Sequence, residues 1–125
     1  MKVIQTPNAP LPIGSYSQAI QSGNWVFLSG QIGMDPRTLN LVAGGTQGEI
    51  TQVFKNILAI VKSLDATLAN IVKLTVFLTD LADYALVNET MKQLFSEPFP
   101  ARSVVQVSGL PKQARVEIEA LIVLA

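Results

Sequence analysis

Residues 99–125 read FPARSVVQVSGLPKQARVEIEALIVLA. The run is apolar enough for buried strands, yet Arg102 stands near its start and Glu117 and Glu119 near its end. Strands buried on both faces rarely carry unpaired charge, because an ion taken out of water needs a partner in its place. The segment 102–108 reads as one strand, 109–113 as a turn and 114–125 as a long final strand. In that last strand Ile118, Ala120 and Ile122 fall on one face, and Leu121 and Val123 on the other. A strand apolar on both faces is covered on both faces. Helices of the same chain supply one cover, and the simplest second cover is a neighbouring copy.

Composition supports that inference. Charged residues make up 14% of the 125-residue chain, against about 25% in an ordinary soluble domain. A chain this small has much surface to keep wet, so the shortage suggests that part of it is covered by another subunit. A low-charge monomer ranks second. Nine basic and nine acidic residues give zero formal charge, so the broad positive field of a nucleic-acid binder is missing. Neither Cys nor His is present. Disulfides, thiol nucleophiles, nearly every zinc site and Ser-His-Asp catalysis are thereby excluded. A general acid or base must be Asp, Glu, Lys, Tyr or bound water. The opening MKVIQTPNAP has no signal-peptide core, and no apolar run is long enough for a membrane span. A cytoplasmic protein with a single domain over 1–125 is expected.

Upstream, residues 6–15 hold three prolines and a glycine and read as an irregular segment. YSQAIQ (16–21) and WVFLSG (25–30) flank Ser22-Gly23-Asn24, a hairpin signal. Trp25, Phe27 and Ser29 fall on one face of that strand, Val26 and Leu28 on the other. After a turn at 35–38, LNLVA (39–43) is a candidate edge strand. Thr46-Gln47-Gly48-Glu49 has the T-x-x-E form of a capping box, and Ile50, Val53, Phe54, Ile57, Leu58, Val61 and Leu64 form one apolar stripe. Together they predict a helix over about 47–64. NIVKLTVFLTD (70–80) is β-rich. Helical spacing returns through Tyr84, Val87, Met91, Leu94 and Phe95, with Asp80 or Asp83 placed to cap and Pro98 and Pro100 to stop. The order β-β-(β)-α-β-α-β-β predicts an α+β sandwich, a sheet with two helices on one face.

Arg102 presents a planar, permanently charged fork suited to a carboxylate. Consecutive strands usually pair, which would let Arg102 and Glu117 face a common space. An anion held by Arg102 beside a working carboxylate and a structural ion pair between strands both satisfy that spacing. Tyr16 reads equally as a strand aromatic, Ser29-Gly30 as a bulge, and Asn88 as a solvent-facing helix residue.

The segment PARSVVQVSGLPKQARVEIEA (100–120), with GSYSQAI (14–20), VFLSGQIG (26–33), VKLTVFLTDLADY (72–84) and Val87-Asn88, resembles the signature of the RidA (YjgF-type) family of reactive enamine/imine deaminases. The resemblance covers nearly the whole chain in order. It implies a chorismate-mutase-like α+β fold with a mixed sheet. It also implies a homotrimer whose sheets form a central barrel, with active sites between subunits. The implied reaction is hydrolysis of 2-aminoacrylate and 2-iminobutanoate to 2-keto acids and ammonia, without cofactor or metal. Carried over by position, Arg102 holds the substrate carboxylate and Glu117 orients the attacking water. Tyr16, Ser29, Gly30, Asn88 and the backbone of Val104 contact the ligand. Many deaminase members have Pro at Ser15, Cys at Val104 and an aromatic residue at Met91. Two other readings are a non-catalytic trimer that binds small carboxylates or a regulatory partner, and the endoribonuclease or translation inhibitor of the family's older label. Zero net charge and missing His argue against the latter.

Overall fold

In the computed structural model, which describes residues 1–125, six strands form one sheet. The elements in chain order are β1 (Lys2–Ile4), β2 (Ala19–Ser22), β3 (Trp25–Ile32), α1 (Gly45–Ser63), β4 (Ile71–Leu78), α2 (Tyr84–Leu94), β5 (Ala101–Gln106) and β6 (Val116–Val123). The sheet order is β1-β2-β3-β6-β4-β5. Every pairing is antiparallel except β4 with β5. The α+β class, the mixed sheet and the helices on one face are as the sequence predicts.

Alternation decides which face the helices take. Leu74, Val76 and Leu78 of β4, and Val116, Ile118 and Ile122 of β6, are fully buried. They meet the α1 stripe of Ile50, Val53, Ile57, Ile60 and Val61, also fully buried. Each such side chain contributes about 1.5–3 kcal/mol through lost contact with water. Truncating Ile57 to Ala would therefore cost about 2–5 kcal/mol, including the cavity left behind. The opposite face of the sheet carries no helix. Trp25 and Phe27 stack there with ring centroids 6.5 Å apart, and each is 47% exposed. No helix is long and apolar enough to cross a membrane.

Three expectations change, and one strand with no sequence assignment is added. β6 inserts between β3 and β4, so the consecutive strands β5 and β6 are not neighbours. A strand apolar on both faces gains most in the middle of a sheet, and the parallel β4–β5 pair connected through α2 leaves β5 at the edge. LNLVA is not a strand; it makes one isolated bridge, Met34 with Leu41. Leu39 in this segment is left-handed, with φ 60°, which breaks extended pairing. β1, inside the apparently featureless opening, pairs with β2. Finally, the capping box does not form. Gly44 and Gly45 are left-handed (φ 103° and 64°) and start α1 early, which puts Thr46 inside the first turn. Its hydroxyl donates to the Asp83 carboxylate at 3.2 Å, and the Glu49 carboxylate accepts the Arg115 amide at 2.9 Å. Asp80 caps the short 3-10 turn Leu81–Asp83 that precedes α2.

Candidate active site

Glu117 projects from the uncovered face of the sheet, because its neighbours Val116 and Ile118 take the helix side. It lies opposite Ile32 of β3 and Phe77 of β4. The register of β3 slips between Leu28 and Gln31, a bulge at Ser29-Gly30. The bulge is pinned from two sides. The Ser29 amide donates to the Gln18 carbonyl at 3.1 Å, and its hydroxyl donates to the Ser17 carbonyl at 2.6 Å. Gly30 then lies against the Glu117 carboxylate. A β-carbon at residue 30 would sit 2.5 Å from Glu117 Oε2, so only glycine leaves the carboxylate its place.

Burial pushes the Glu117 carboxyl above the usual 4.5, and the negative Glu119 two residues away raises it further. No cation of the chain offsets this, since the chain's one ion pair joins Arg37 to Asp35. Glu117 faces a cavity of about 430 Å³ that Tyr16, Ser29, Gly30, Ile13 and Lys112 also line. Gln18 fixes the outer wall, residues 6–15. Its buried amide accepts from the Thr6 amide at 2.9 Å and donates to the Thr6 and Pro10 carbonyls at 3.2 and 2.9 Å. Lys112 and Gln113 on the far rim are both left-handed (φ 58° and 59°). The Lys112 ammonium donates to the Leu39 carbonyl at 2.8 Å.

Arg102 occupies a different place. It aligns with Leu74 in the parallel β4–β5 ladder and so points to the helix side. Its Nη1 donates to Asn88 Oδ1 at 3.2 Å and touches Met91 Sδ at 3.5 Å. Nη2 donates to the Tyr84 hydroxyl, and the guanidinium lies 5.1 Å from the Tyr84 ring centroid. Val104, two residues on, packs against the main core. The common space inferred from strand order is therefore absent within one chain. Arg102 and Glu117 lie two strand spacings apart, about 10 Å, and three residues along the strand, about another 10 Å. They also project from opposite faces.

Thus Tyr16, Ser29 and Gly30 gather with Glu117, while Asn88 and Val104 gather with Arg102. Gln18, Lys112 and Tyr84 take part in these clusters without a signal of their own. Tyr84 fits the apolar spacing of α2, and Lys112 sits in a stretch readable only as a turn. No group of three or more acidic side chains is placed to hold a metal ion. One half of the arrangement can manage a proton, and the other can hold an anion.

The sequence profile described as Endoribonuclease L-PSP matches residues 6–124. The chain belongs to this L-PSP/RidA family. A relative from Dermatophagoides farinae, named 2-iminobutanoate/2-iminopropanoate deaminase, is 49% identical over 98% of this chain and 96% of its own length. RidA from an Antarctic Psychrobacter superimposes with a TM-score of 0.95 at 46% identity, covering 99% of this chain and 100% of that one. TdcF of E. coli, solved with bound serine, gives 0.93 at 42% identity and full coverage of both. The fold is thus shared with solved L-PSP/RidA relatives along the whole length of the chain.

Proposed function

We propose that this L-PSP/RidA chain hydrolyses small 2-imino acids and their enamine tautomers to 2-keto acids and ammonia. The observation that carries the reading is the unpaired, half-buried Glu117 carboxylate facing a cavity too small for anything but a small molecule. The deaminase name of its close relatives supports the substrate class.

Arg102 takes the substrate carboxylate. Since it cannot reach Glu117 of its own chain, the site is shared: Arg102 of one copy faces the Glu117 cavity of the next in a homotrimer. The uncovered sheet face with Trp25 and Phe27 supports such an assembly. Glu117 accepts a proton from water as the water oxygen bonds to C2, and the C=N π electrons become a nitrogen lone pair. The proton passes to nitrogen to give the carbinolamine; Glu117 then carries the hydroxyl proton to the amine, the C–N bond breaks, and ammonia leaves as the C=O bond forms. An enamine is first protonated at C3. An imine is electrophilic already, so orientation and one proton carrier suffice. A carboxyl raised toward the working pH exchanges protons more readily than an ordinary one. No step needs a metal or cofactor.

A threonine dehydratase supplies the imine, and the rate of 2-oxobutanoate formation is followed with and without the protein. Acceleration that Arg102→Ala removes is the expected result. Arg102→Ala should cost about 2–5 kcal/mol, or roughly 30- to 5,000-fold in kcat/KM. Near-normal turnover by that variant would refute the assignment. The serine bound to E. coli TdcF favours one alternative, a non-catalytic binder of small carboxylates. Glu117→Gln separates the two, since it abolishes turnover in an enzyme and leaves affinity intact in a binder.

A further inference from the structure

The guanidinium of Arg102 is only partly used within the chain. Nη1 serves Asn88 and Met91, while Nη2 serves Tyr84. That leaves Nε–H and one Nη2–H without a partner in the chain. The Tyr84 hydroxyl lies beside Nη2. It accepts from Nη2, so its own proton is free to donate. Its ring is 43% exposed and also stacks on the cation, which holds the two groups in fixed relation. An anion on the free donors of Arg102 would meet a third donor there, the phenol.

We propose that Tyr84 is a further substrate-binding residue: its hydroxyl donates to the carboxylate held by the free Nε and Nη2 donors of Arg102. This rests on the reading of Arg102 given above. Phenol and guanidinium together make a three-donor cradle for one carboxylate, and the stack keeps Arg102 in the rotamer that presents it. Asn88 and Met91 occupy Nη1, so the ligand's place is at Nε and Nη2.

The test titrates 2-oxobutanoate and its uncharged amide against the wild type, Tyr84→Phe and Tyr84→Leu, with imine turnover measured in parallel. Tyr84→Phe keeps the ring and removes the donor. It should weaken 2-oxobutanoate binding about 3- to 10-fold, raise KM by a similar factor and leave affinity for the amide unchanged. Tyr84→Leu, which also loses the stack, should be weaker still. If Tyr84→Phe binds 2-oxobutanoate as the wild type does, or loses the acid and the amide equally, the inference is overturned. A wild type that binds the acid in a Tyr84-dependent way but speeds no deamination would support the cradle and sink the enzymatic reading. A wild type that binds no 2-oxobutanoate would end the inference.

Discussion

Glu117 loses part of its hydration on folding, and the charge that acts on it, that of Glu119, has the same sign. Both effects favour the protonated form, so the carboxyl titrates above 4.5. The acid limb of kcat reports the substrate-bound enzyme, in which, on the proposed function, the substrate carboxylate takes up the Arg102 charge. That limb should lie above 4.5 in a pH–rate profile, and Glu119→Gln should move it down. Because burial is the larger cause, the shift should be partial. A limb at or below 4.5 would show that Glu117 is not the group being followed. The neighbouring glycine gives a second prediction. Gly30→Ala places a methyl group 2.5 Å from the carboxylate oxygen, so turnover should fall at least about tenfold while the melting temperature changes little. The sequence shows Arg102, Glu117 and Gly30 plainly, as charges and a glycine inside strands. It does not show Tyr84, whose α2 position suits the core as well as it suits the top of a guanidinium.

At the scale of elements, hydrophobic period carried most of the information. The α1 stripe, the β4 alternation and the two-faced final strand all appear where their spacing predicts. Adjacency was not legible. Nothing local in 102–123 says that β6 leaves its sequence neighbour to pair with β3 and β4; that choice depends on the total apolar area covered. Nor does a T-x-x-E pattern say whether its side chains cap a helix or reach a distant partner. The bends made by Gly44 and Gly45 decide that. Gln18 tests how elements hold the cavity wall. Gln18→Leu leaves the Thr6 amide and the Thr6 and Pro10 carbonyls without their buried partner. The expected loss is about 2–4 kcal/mol, after partial relief by water. Denaturant unfolding measures it, and a change under about 0.5 kcal/mol would mean that residues 6–15 hold themselves in place.

On the proposed function, the two clusters have to be joined. One chain carries the Glu117 carboxylate on one face of its sheet and the Arg102 guanidinium on the other, with β4 between them. The uncovered face presents Trp25 and Phe27 to solvent, and placing a charge there should separate the copies. Phe27→Asp should sediment as a monomer and lose turnover together with its assembly, whereas an unchanged particle size would remove that face from the interface. The low charge content and the doubly apolar final strand are what predict such an interface in the sequence. Which residues would meet across it is not written there, because contacts between copies have no sequence separation to read.

Mixing two inactive variants tests the shared site most directly. Arg102→Ala and Glu117→Gln are co-refolded in equal amounts and assayed for imine hydrolysis. If each site takes its arginine from one copy and its glutamate from the next, about half the sites receive a sound arginine, and half of those a sound glutamate. The mixture should then recover about a quarter of wild-type activity. A mixture as inactive as either parent would contradict the shared site.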